Sequence, residues 1–147
     1  MSTRLTIELV PRTSWGRNLR SHLTRSEWLR LSRAVADRSG GRCEVCGLAG
    51  RLHCHEIWEY DDARLVQRLA GLMALCPACH EVKHLGLAQT RGRCETALSH
   101  LARVNGWSRE DAELYLEAAF EVWGRRSVHS WTLDLSLLDH LRTALET

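Results

Sequence analysis

The residue types able to do chemistry are concentrated between Cys43 and His84. The stretch opens with Cys43-Glu44-Val45-Cys46-Gly47 and closes with Leu75-Cys76-Pro77-Ala78-Cys79-His80-Glu81-Val82-Lys83-His84. Two C-x-x-C pairs, separated by 29 residues, have the spacing of two knuckles that share one tetrahedral zinc. The histidines fall outside that cage. Leu52-His53-Cys54-His55-Glu56-Ile57 alternates like a strand, which sends His53 and His55 to one face and Cys54 and Glu56 to the other. His80 and His84 are four apart and project from one face of a helix that starts at Pro77. This arrangement suits two metals: a structural Zn2+ on Cys43, Cys46, Cys76 and Cys79, and a second, open divalent site using His80 and His84. A histidine on the facing strand can accept a proton near neutrality.

These elements have to be positioned by the rest of the chain. Thr6-Ile7-Glu8-Leu9-Val10 alternates and predicts a short strand before Pro11, followed by an irregular basic segment through residue 23. Trp15 in that segment is either a stacking surface for a base or a packed core side chain. Thr24-Arg25-Ser26-Glu27 is a capping-box pattern for a helix carrying Trp28, Leu31 and Val35, which should stop at Gly40-Gly41. Residues 51–58 read as a strand. Asp61-Asp62 is expected to open a helical segment bearing Leu65, Val66, Leu69, Leu72 and Met73. Helices are expected over 77–86 and 93–104, then from Ser108 and from Ser136, with a strand at 131–135 that could pair with residues 6–10. Cys54 and Cys94 are expected to be buried small residues.

The residues quoted above resemble a known family. Cys-x-x-Cys-Gly, then Leu-x-x-His-x-Ile, then Leu-Cys-x-x-Cys-His-x-x-Lys-His is similar to the HNH, or ββα-metal, endonucleases. The resemblance spans about residues 42–86. It implies a treble-clef-like zinc core and a divalent-metal-dependent enzyme that cuts DNA phosphodiester bonds, with Mg2+, Mn2+ or Zn2+ as the catalytic metal. The chain departs from the family pattern in two places. His55-Glu56 stands before Ile57, so either His55 is the base with Glu56 supporting it, or His55 is a metal ligand and Glu56 is the base; we take the first as the working assignment. The family's middle Asn would fall near Gly71 and is absent. Asp61 and Asp62 are candidates for a further ligand or for helix capping.

The fold class that follows is α+β and helix-rich. It divides into a basic arm and helix over 1–42, the ββα zinc core over 43–86, and a helical extension over 87–147. The chain is 44% hydrophobic and 26% charged, the composition of an ordinary globular protein. Without a run of ~20 apolar residues it offers no membrane span, and without a leader pattern it is expected in the cytoplasm, where paired cysteines favour metal over disulfide.

The charge is unevenly spread. Residues 1–42 hold nine Arg against three acids, whereas 105–147 hold four basic residues against eight acidic. Arg12, Arg17, Arg20 and Lys83 are the candidate nucleic-acid contacts, although a solvated basic face explains the Arg content equally well. The acidic helix from Ser108 argues against a DNA-reading helix-turn-helix and is a candidate protein-docking surface. The alternatives to an active nuclease are a zinc-stabilised binding module without catalysis and a nuclease subunit of a larger complex.

Overall fold

The computed structural model describes residues 3–146, which form an α+β fold with a small three-stranded sheet. Two short 3-10 turns, Arg12–Ser14 and Leu19–His22, precede helix α1, Arg25–Arg38. The hairpin β1 His53–Asp61 and β2 Val66–Leu75 leads directly into α2 Pro77–Lys83 and α3 Leu85–Thr90. After α4 Cys94–Asn105 and α5 Arg109–Arg126 come β3 Thr132–Asp134 and α6 Leu137–Glu146. The strand order is β1-β2-β3, with β1 antiparallel and β3 parallel to β2.

The sheet separates two cores. On one side Leu5 and Ile7 pack with Leu75, Val82, Leu98 and Leu101. On the other, Leu19, Leu31 and Val35 pack with Leu69, Leu72 and Leu138. Helix α1 begins with the expected capping box: Thr24 and Glu27 satisfy each other's backbone N–H groups, with bonds of 3.0 and 3.1 Å. Gly106 ends α4 in a left-handed conformation, φ 69°, and Ser108 then caps α5 through Asp111 N.

Three sequence expectations are overturned. Residues 66–75 form a strand and not a helix. Both faces of β2 are largely covered, so its apolar residues do not alternate, and their spacing mimics a helical stripe. Asp61 does not open a helix; its Oδ1 accepts from Ala63 N and Arg64 N and closes the hairpin turn. Residues 6–10 are extended but make no regular strand, and residues 132–134 pair with β2 instead, Thr132 N donating to Leu65 O at 2.9 Å. The helix expected over 77–86 also breaks at His84 and resumes at Leu85.

Candidate metal centre and adjoining cleft

Each C-x-x-C pair folds as a turn around its first sulfur. Cys46 N donates to Cys43 Sγ at 3.5 Å, and Cys79 N to Cys76 Sγ at 3.4 Å. Gly47 follows the first pair at φ 79°, a backbone conformation costly for other residues. Glu44 N donates to Ala74 O at 2.9 Å and brings the first turn against the end of β2. The four sulfurs lie within 4.8 Å of one another, three of the four residues being buried.

Burial alone would raise the Cys43 thiol, but backbone N–H groups of Cys46, Cys76 and Val45 together bring it down to about 7. Burial pushes Cys76 and Cys79 up, the latter further because the neighbouring cysteines repel a second thiolate. Four thiols this close can all ionise only around a cation, so the donor set fits a metal.

His100 adds to this cluster from α4. Its Nε2 is 3.2 Å from Cys79 Sγ, and Arg103 Nη2 lies 2.9 Å from its Nδ1. A guanidinium only donates, so Nδ1 is the acceptor and the proton of neutral His100 sits on Nε2, aimed at the sulfur.

Across the sheet face, β1 and α2 bring three imidazoles together. The ligand atoms of His55, His80 and His84 lie within 4.8 Å of one another. Burial is the largest cause of depressed basicity in His80 and His84, and neighbouring imidazoles add to it. His80 is brought down to about 3 and His84 to about 4, so both are neutral at pH 7, the form that binds metals. His53 joins from the same strand face, its Nδ1 2.9 Å from His80 Nδ1.

Behind His55 lies Glu8, from the extended N-terminal segment. Glu8 Oε2 is 2.9 Å from His55 Nε2 and 2.8 Å from Lys83 Nζ, which also donates to Thr6 Oγ1 at 2.7 Å. Burial opposes ionisation of Glu8, but its bonds to His55 and Lys83 prevail and hold the carboxyl below the usual range. Since the carboxylate only accepts, His55 Nε2 is the donor, and in the neutral ring Nδ1 is the acceptor.

Glu56 lies on the opposite face of β1, as strand alternation requires. One oxygen accepts from Leu19 N at 2.9 Å and the other from Trp58 Nε1 at 3.3 Å; burial raises its pKa despite these bonds. It is therefore not grouped with the three imidazoles. Asp61 closes its turn and Asp62 pairs with Arg126, so neither joins them.

Of the four residues expected to meet nucleic acid, Lys83 requires correction. It is 4% exposed and held by the half-buried carboxylate of Glu8 and by Thr6 in place of solvent. Arg12 lies over the Trp123 ring at 5.0 Å, Arg20 over Trp28 at 5.2 Å, and Arg17 donates to Trp131 O at 2.9 Å.

A cleft of about 1200 Å³ adjoins the imidazoles. His55, His80 and His84 line it, as do Arg17, Arg20 and Arg126 and several aromatic side chains. Glu8, His100 and this cleft were not identified from the sequence. A single acid within an alternating apolar segment was the available signal for Glu8. For His100 it was a histidine between Leu98 and Leu101 on an amphipathic helix.

Comparison with family models, curated proteins and solved structures finds no match for the chain. No helix among the described residues is long and apolar enough to cross a membrane.

Proposed function

We propose that the chain is an HNH-type, metal-dependent endonuclease that hydrolyses DNA phosphodiester bonds. The supporting observation is the convergence of His55, His80 and His84 from a hairpin strand and the helix that follows it, next to a four-cysteine cluster at the start of that same helix. In this reading Cys43, Cys46, Cys76 and Cys79 hold a structural zinc in a treble-clef-like core. The three imidazoles hold the working metal. A set of three imidazole nitrogens with no carboxylate suits zinc or another late divalent ion better than magnesium, which prefers oxygen.

The bound metal would act as a Lewis acid on the phosphoryl oxygens and the departing oxygen. Glu8 would fix the His55 ring by accepting its Nε2–H, which leaves Nδ1 as the nitrogen available to a metal. His55 thus serves as a ligand in place of the base of the working assignment. His53, part-exposed on the same strand face, is the imidazole left to take the proton from water. Glu56 holds the Leu19 amide and shapes the far wall.

Relaxation of a supercoiled plasmid with a panel of divalent metals tests this reading. Cleavage should vanish with chelator and with His80→Ala or His55→Ala. Relaxation untouched by both substitutions would refute it. A complete lack of cleavage with every metal would instead favour a zinc-stabilised binding module, a reading compatible with the Arg-lined and Trp-lined cleft.

A further inference from the structure

All the buried side-chain polar atoms that lack a hydrogen-bond partner among the described residues, Ser14 Oγ and Gln67 Oε1 and Nε2, belong to residues lining the cleft beside the imidazoles. Gln67 is fully buried on β2, opposite Tyr60 on β1. An amide and a hydroxyl withdrawn from water without partners destabilise the fold, and such groups are rare enough in native proteins to call for a reason, of which a bound partner is one. A ligand that met these atoms would present both donors and acceptors.

The same cleft supplies flat apolar surface and positive charge. Trp15 is 62% exposed, yet its indole is fixed: Nε1 donates to Val10 O at 3.0 Å. Trp123 Nε1 donates to the same oxygen at 3.0 Å, and the two rings stack with an interplanar angle of 26°. Arg17 and Arg20 lie along the cleft, as does Arg126, whose guanidinium is paired with Asp62. Its two acids are committed elsewhere, Glu8 to Lys83 and His55, and Glu56 to Leu19 N and Trp58.

We infer that this cleft receives an unstacked base from a single-stranded stretch of nucleic acid, with Trp15 as the stacking platform and the Gln67 amide as the group that meets the base edge. A duplex keeps its bases stacked inside and shows phosphates outside. It could meet the arginines but would satisfy neither the aromatic faces nor the buried amide. A splayed base has a π-face, donors and acceptors on its edge, and a phosphate on either side. The cleft also exceeds the usual small-ligand pocket, about 300–1000 Å³, leaving room for the flanking nucleotides. The identity of the polymer rests on the nuclease reading above; the requirement for an unpaired base rests on the cleft alone.

The test is tryptophan quenching of the zinc-loaded chain by a phosphorothioate oligothymidylate, which resists cleavage, against a duplex of equal length and thymidine monophosphate. The oligothymidylate should bind at least about tenfold tighter than either. Trp15→Ala should weaken that binding roughly tenfold. Gln67→Met should weaken it too while raising the urea midpoint, since the orphaned amide is gone; a merely structural glutamine would not give that opposite pair. Duplex binding equal to single-strand binding, or wild-type affinity in both variants, would overturn the inference. Equal affinity for the mononucleotide would reassign the cleft to a free nucleotide, and a concentration-dependent dimer that shields Trp15 would reassign it to a second copy of the chain. Metal-dependent plasmid cleavage that persists when single-strand binding is absent sinks this inference and spares the nuclease. Single-strand binding without cleavage by any metal does the reverse.

Discussion

Lys83 is the chain's single lysine, and its burial makes Glu8→Gln the most informative substitution. The Lys83 side chain is 5% exposed and that of Glu8 29%, with 2.8 Å between their charged atoms. Glutamine keeps the shape and one hydrogen bond but leaves the ammonium without a counter-charge. Removing one partner of a buried pair costs about 3–5 kcal/mol. Because Glu8 retains some access to water, the lower end applies, about 3 kcal/mol, or roughly a hundredfold in the folding equilibrium. Replacing Lys83 by methionine should cost much less, since the aliphatic stem is kept and the remaining carboxylate still has His55 and solvent. The double variant Glu8→Gln/Lys83→Met should therefore recover most of the loss, giving a coupling energy of about 2 kcal/mol. Urea denaturation of the zinc-loaded protein measures all four corners of this cycle. A cost below about 1 kcal/mol for Glu8→Gln, or additive effects in the double variant, would refute a buried, mutually dependent pair.

With the four cysteines holding a metal as proposed, a strong chelator should unfold the chain cooperatively by circular dichroism, and Cys76→Ser should mimic it, because metal binding at such clusters carries roughly 10 kcal/mol of folding free energy. His100→Ala should keep the fold but lower metal affinity at the four cysteines by about 10- to 100-fold, read by competition with a chromophoric chelator, with Co2+-thiolate absorption reporting the same site. Leu65 sits at the hairpin turn with φ 57°. Leu65→Asn should raise stability by about 1 kcal/mol, because asparagine tolerates the left-handed region; a fall in the urea midpoint would show that the Leu65 side chain contributes more by packing than its backbone costs.

What was legible in the sequence is what local spacing determines. A C-x-x-C pair closes its own turn, and residues four apart on a helix share a face, so the cysteine cluster and the His80/His84 pair needed no tertiary information. Strand alternation likewise separated His53 and His55 from Cys54 and Glu56. The rest depended on contacts between distant segments. Glu8 is 47 residues from His55 and His100 is 21 from Cys79, and neither segment carries a motif that announces its partner. Lys83 reads as a surface charge until the N-terminal segment is laid across α2. Residues 66–75 read as a helix because burial on both faces of a strand removes the alternation by which strands are recognised.

The two clusters are coupled through α2. At seven residues it is too short to be stable by itself. Cys76 caps its N-terminus and Cys79 lies in its first turn, so the four-cysteine cluster holds one end. At the other end Glu8 N donates to Lys83 O at 3.0 Å while Glu8 and Thr6 hold the Lys83 ammonium. His80 lies between these clamps, and His84 follows directly on the second. The facing strand is set by register: His53 pairs with Leu75, the residue just before Cys76, and His55 with Met73. A slip of one residue would turn Cys54 and Glu56 toward α2 and send both histidines to the α1 side. The choice between an imidazole and a carboxylate at this site is thus made by the pairing of β1 with β2, anchored where β2 runs into the second cysteine pair.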